Sequence, residues 1–273
     1  LVEKDLSINY SWERFDQVGQ TRIHNKSNDN VYAGVLSIFD HKVRIGNILF
    51  YNCHPTTPQN DANYFTSEFP GSAIEKLTKK YPGEFFIYLQ GADGDISTRL
   101  NRKHTKYEEV TRLGNLMSEE FNKLLRLNIT KEKVQMTIEV KSWQLTIDNK
   151  LKDINKINFD KLEGYTEKEK IELKHGIKML NPVIDGFTPF RSKIDLYLLT
   201  LGNINLFFNP FELFSDYNDL INKDNSLLVC YSQGIQGYLT QLDNKHISYE
   251  WLIEMQTEKD KQNVVEAIKK INS

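Results

Sequence analysis

Cysteine is scarce: Cys53 and Cys230 are the only two in 273 residues. Two thiols allow one bridge at most, so no disulfide framework holds this chain together. Both sit in apolar, strand-like stretches, where buried free thiols are the simpler reading, and the redox compartment stays open. No apolar stretch approaches the length of a membrane span. No long run of Lys or Arg occurs and the net charge is −2, so nothing electrostatic calls for a nucleic-acid partner. Internal repeats and low-complexity linkers are also missing. The opening residues, Leu1 to Leu6, show neither an initiating Met nor a signal-peptide pattern. A chain cut from something longer is expected.

What is present is ordinary for a globular protein: 39% apolar and 26% charged residues. A chain of this size builds a core without staples, and one α/β domain over residues 1–273 is expected, short of an N-terminal segment. Enrichment in Lys, Asn and Ile hints at an AT-rich bacterial genome. Val31 to Phe39 and Ile45 to Cys53 read as strands joined by Asp40-His41-Lys42. A helix is expected from about Ser72 to Lys80, then a buried strand at Glu84 to Leu89 running into the turn Gly91 to Asp95. Residues 106–126 have helical spacing, with Val110, Leu113, Leu116, Met117, Phe121, Leu124 and Leu125 on one face. Val134 to Ile147 alternates like a half-buried strand, and the charged stretch 148–185 reads as a solvated helical excursion. Ile194 to Leu199 and Ile204 to Phe208 flank a Gly202-Asn203 turn. A helix start near Glu212, a strand at Ser226 to Tyr231 and a closing amphipathic helix at 258–272 complete the pattern. Strands interspersed with helices point to an α/β, mixed-sheet domain.

Chemically able residues follow several of these strands, where α/β sheets gather ligands. His54 ends one strand ahead of Pro55; it suits zinc, and equally a hydrogen bond in a turn. Ser67 or Ser72 can cap the helix that follows. In Gly91-Ala92-Asp93-Gly94-Asp95-Ile96-Ser97, glycines permit close backbone approach, and Ser97 can serve as nucleophile or oxyanion donor. The same composition makes an ordinary turn, and no G-x-S-x-G elbow accompanies it. Glu212 follows Asn209-Pro210-Phe211, where it can complement a helix dipole. Tyr238 lies in Gly237-Tyr238-Leu239-Thr240, a setting typical of a core or rim tyrosine.

Taken in order, these segments resemble the neutral/alkaline (non-lysosomal) ceramidase family over about Ile23 to Glu250. The matching stretches are His54-Pro55-Thr56, Ser67 to Ala73, Gly94-Asp95-Ile96-Ser97, Pro210-Phe211-Glu212-Leu213, Tyr238-Leu239-Thr240 and Tyr249-Glu250. The resemblance implies the catalytic α/β fold of that family, a mixed sheet flanked by helices without its C-terminal immunoglobulin-like domain. It implies zinc held by His54, Glu212 and Tyr238, with Ser97 as the catalytic serine. Asn25-Lys26-Ser27 stands for the family's Asn-Arg-Ser, which puts Lys26 at the substrate-facing position. The family's first zinc His has no counterpart here; an N-terminal segment or chain ahead of Leu1 is expected to supply it. Glu68 replaces an Asp, and Thr98-Arg99 replaces Pro-Asn. The implied activity is zinc-dependent hydrolysis of an N-acyl amide, with a small-molecule amide or lipid as substrate. Two alternatives stay open: a metal-free serine hydrolase using Ser97, Asp95 and a His, and a non-catalytic ligand-binding homologue.

Overall fold

The computed structural model describes residues 5–23, 26–58, 64–104, 106–154, 157–242 and 246–272. In chain order the elements are β1 Leu6–Arg14, β2 Gln20–Thr21, β3 Tyr32–Asp40, β4 Val43–Tyr51, α1 Glu68–Lys80, β5 Phe85–Gln90, β6 Ile96–Ser97 and α2 Tyr107–Thr130. Then come β7 Val134–Gln135, β8 Ile138–Asn149, α3 Glu167–Gly186, β9 Phe190–Leu201, β10 Ile204–Phe208, β11 Glu212–Leu213, β12 Ser226–Val229, β13 Tyr238–Leu239, α4 Tyr249–Ile253 and α5 Glu258–Lys269.

Two mixed sheets carry the fold. The first has the order β5-β4-β3-β1-β7 and the second β12-β10-β9-β8. Each is antiparallel apart from one parallel pair, β4 with β5 and β10 with β12. Successive side chains on a strand point to opposite faces, and here both faces are apolar. On β3, Ala33 and Val35 face α1 and α2, packing with Phe69, Leu77, Leu113, Met117 and Phe121. Tyr32 and Leu36 face the other way, onto Leu206, Leu227 and Val229 of the second sheet. That sheet's far face packs Leu196, Phe207 and Leu228 against Val264 and Ile268 of α5. The result is four layers, helix, sheet, sheet, helix. Each fully buried Leu or Phe in them contributes roughly 1.5–3 kcal/mol.

Most expected elements occur, and of the apolar face foreseen for α2 only Leu116 stays partly exposed. The tight link between β9 and β10 places Gly202 at φ 58, and a Cβ there would meet the Gln135 carbonyl at 2.8 Å, so glycine is required. Both cysteines are free and buried. Within 148–185 the chain is helical as α3, which packs through Leu173 onto Leu252 of α4. No helix among the described residues is long and apolar enough to cross a membrane.

Three readings are corrected. The strand expected to be buried at Glu84 to Leu89 is β5, which lies at the edge of its sheet with Phe85 and Ile87 exposed, and β1, unforeseen, pairs Leu6, Ile8, Tyr10 and Trp12 along the whole of β3. α1 starts at Glu68; Ser67 takes the N-cap position but its hydroxyl accepts no helix N–H, and Ser72 lies inside the helix. No helix starts at Glu212. That residue lies on β11, because the Glu212 and Phe214 N–H groups donate to Gly237 and Leu239 on the β13 side at 2.9 and 3.1 Å. A 3-10 turn follows at Ser215–Leu220.

Candidate active site

Both parallel strand pairs end at the same place, and there the two sheets are tied together. The Cys230 N–H, just past β12, donates to Gln90 O at the end of β5, at 3.0 Å. Asn52, fully buried after β4, donates to the carbonyls of Asn30 and Ala92 and accepts from the Tyr32 N–H. The loop after β5 passes between, and its Gly94 N–H donates to Leu213 O of β11 at 2.8 Å. Side chains two to four residues beyond β4, β5, β10 and β12 therefore converge.

His54 sits at the centre. Its Nδ1 is 3.1 Å from Asp93 Oδ2 and 3.3 Å from the Tyr231 hydroxyl. Asp93 is fully buried and also accepts from Gln90 Nε2 at 2.6 Å and the Tyr231 hydroxyl at 2.9 Å. A carboxylate only accepts, so the proton of His54 lies on Nδ1. Its Nε2 is buried with no hydrogen-bond partner, 3.6 Å from Glu212 Oε2. Burial pulls the imidazole pKa down, but the charge of Asp93 and its hydrogen bond outweigh that and raise it.

Glu212 and Tyr238 are direct partners across the β11–β13 pair. Their side chains hydrogen-bond, and the Tyr238 ring meets His54 edge-on at 6.2 Å. Burial raises the Glu212 carboxyl, with His54 pulling it back; burial and then Glu212 raise the Tyr238 phenol. Ser97 is nearly buried and joins His54 through a parallel bridge, with the His54 N–H donating to Ile96 O at 3.2 Å. Its Oγ accepts from the Arg99 N–H at 3.4 Å.

The structure thus gathers His54, Ser97, Glu212 and Tyr238. Lys26 stands apart from that group, its ammonium 2.6 Å from both Asp95 and Asp216. Asp95 also accepts from Thr21 Oγ1 and from the Ser215 N–H and hydroxyl. It fastens the surrounding loops, and the carboxylate on the histidine is Asp93. Asn25, drawn into the sequence comparison, and His24 lie outside the described residues, as does the side chain of His175. His41 and His104 are exposed, and His246 stacks on Tyr165 at 4.9 Å. Among the histidine side chains described, His54 is the one in the cluster.

Sequence reasoning missed Arg22. Its guanidinium bonds the Gly94 carbonyl and Glu250 Oε1, both at 2.6 Å, and hydrogen-bonds Tyr238. Its buried Nε has no partner. The available signal was slight: it is the only arginine between Arg14 and Arg44.

Among the described residues no three His, Cys, Asp or Glu side chains form a metal-binding group; the third donor at this place is a phenol. The donor set nevertheless fits zinc. An imidazole nitrogen, His54 Nε2, lies buried without a hydrogen-bond partner beside a carboxylate, and a second carboxylate orients the ring from behind.

No family model matches the chain, and no curated protein matches it either. Solved structures do. A ceramidase complexed with C2 superposes with a TM-score of 0.70 at 10% identity, over 97% of this chain and 53% of that one. A neutral ceramidase from Pseudomonas aeruginosa gives 0.69 at 12% identity, over 97% and 51%. The fold is similar to that of neutral ceramidases. The chain spans about half the length of these structures. At such identities the likeness speaks for the two-sheet architecture and its flanking helices, as the α/β pattern led one to expect, and the chemistry rests on the site.

Proposed function

We propose that this chain is a zinc-dependent hydrolase of an N-acyl amide bond, acting on a small-molecule lipid amide of the ceramide kind. The observation that carries this reading is His54 Nε2: buried, unpartnered, and 3.6 Å from Glu212, with Asp93 fixing the opposite ring nitrogen. His54, Glu212 and Tyr238 would hold the ion, three protein donors being the usual complement of a catalytic zinc that keeps a place for water or substrate. Zinc held there would supply Lewis acidity and lower the pKa of a bound water to roughly 7.

The chain's own groups do the rest. Asp93 keeps the His54 proton on Nδ1 and so keeps the Nε2 lone pair available. Ser97, next to His54, offers a hydroxyl to attack the carbonyl or to donate to the tetrahedral oxygen. Arg22, beside Tyr238, brings a fixed positive charge and an unused N–H to the same place. Lys26 acts through Asp95, two residues before Ser97.

The test is metal content and turnover together. The purified protein is expected to hold about one zinc and to cleave a short-chain N-acyl sphingoid amide, and chelation is expected to abolish turnover until zinc returns. Turnover that survives complete metal removal overturns the zinc reading. A second reading would then stand, a serine hydrolase, favoured by the Asp93–His54 pair adjoining Ser97. Its mark is reaction of Ser97 with serine-directed probes in chelator.

A further inference from the structure

Tyr231 follows β12 by two residues, and its backbone adopts φ 57, a left-handed conformation that a bulky side chain rarely takes. Such strain costs of the order of 1–3 kcal/mol and persists where surrounding contacts over-determine it. Here they do: the Cys230 N–H is fixed on Gln90 O at 3.0 Å and the Ser232 N–H on Asn209 O at 2.9 Å. Held this way, the Tyr231 hydroxyl donates to Asp93 Oδ1 at 2.9 Å, while its oxygen lies 3.3 Å from His54 Nδ1. The same hydroxyl also lies close enough to Glu212 to stabilise its carboxylate. One phenol therefore touches the carboxylate behind the histidine, the histidine itself and the facing glutamate.

The Asp93 carboxylate is held from several sides. It is fully buried, comes from a glycine-flanked loop, and is fixed by three side-chain donors, Gln90, Tyr231 and His54. Gln90 shares Oδ2 with His54, so Tyr231 is the side-chain donor on Oδ1. Without it the carboxylate can turn about its last bond and loses its fixed line to Nδ1. The imidazole then loses the contact that aims Nε2 at Glu212.

We propose that Tyr231 and Asp93 form a brace that sets the zinc affinity of this site, Tyr231 as a positioning residue locking Asp93 and, through it, His54. This rests on the zinc reading above. Outer partners of a metal-bound histidine are typically worth ten- to a hundredfold in metal affinity, and that range is the expected effect here.

The experiment titrates the metal-free full chain with zinc against a chromophoric chelator and records the visible absorption of its cobalt(II) form. Tyr231→Phe is expected to weaken zinc binding about ten- to a hundredfold and to alter the cobalt spectrum. Tyr81→Phe, which removes a hydroxyl bonded to Asn122 away from the site, is expected to change neither. Asp93→Asn keeps the shape and an acceptor oxygen but loses the charge; it is expected to weaken zinc at least as much and serves should Tyr231→Phe not fold. A wild-type chain that binds no zinc overturns the zinc reading and the brace with it. Wild-type binding matched by Tyr231→Phe, or by Asp93→Asn where Tyr231→Phe does not fold, overturns the brace alone.

Discussion

Gly94 is the point where one methyl group should do the most damage. A Cβ there would lie 2.6 Å from Glu212 O, 3.0 Å from Leu213 O and 3.0 Å from Phe214 Cδ1. Ordinary contact begins at 3.4 Å, so the Glu212 carbonyl would have to retreat by about 0.8 Å. It is backbone and cannot swing aside. β11 is also held, by the Glu212 and Phe214 N–H groups on the β13 side and by the Gly94 N–H on Leu213 O. Overpacking of a tight site costs about 1–3 kcal/mol, and distorting a buried hydrogen bond adds about 0.5–1.5 kcal/mol. Gly94→Ala should therefore lose about 2–4 kcal/mol. With a slope near 3 kcal/mol per molar urea, the midpoint should fall by about 1 M at unchanged slope. Because Glu212 moves relative to His54, zinc affinity should fall as well. Gly186, at the end of α3, has nothing within 4 Å of its Cβ position, so Gly186→Ala should be neutral or slightly stabilising. A Gly94→Ala protein within about 0.5 kcal/mol of wild type would refute this account of the β5 loop and β11.

Three further outcomes are expected. Lys261, fully buried, bonds Glu254, Glu258 and Thr240; Lys261→Ala removes one of the two lysines paired with buried Glu254, the other being Lys152, and should cost about 3–5 kcal/mol, and an unchanged melting temperature would exclude this clasp. Burial pushes the Glu109 carboxyl up, but the Arg112 fork and the Lys103 N–H outweigh it and hold it below its ordinary 4.5. Its stabilising share is thus present above that value and lost as pH falls through the lowered one. Glu109→Gln should flatten the acid fall in urea midpoints between pH 7 and pH 3, and an unaltered slope would contradict it. Ser97→Ala should abolish amide turnover while leaving the melt unchanged, since its hydroxyl makes one long contact to Arg99; a near-normal rate would exclude a central role.

Local periodicity alone was enough for β3, β4 and α2, because each buries a face whose spacing is written in its own residues. β1 carried the same signal in Leu6, Ile8, Tyr10 and Trp12, obscured by lying at the start of the chain. His54, Ser97, Glu212 and Tyr238 were singled out through the order of short motifs that resembles the ceramidase family, not by strand position alone. Pro210 ahead of an acidic residue reads as a helix start, yet the backbone partner that makes Glu212 a strand lies near residue 238. Asp93 and Tyr231 meet across 138 residues of sequence, and Arg22 reaches Tyr238 and Glu250 over an even greater span. Local sequence settles which way a side chain faces on its own element. Which distant polar groups share one buried space, and so which nitrogen of a histidine is left without a hydrogen-bond partner, is decided when the two sheets close on each other.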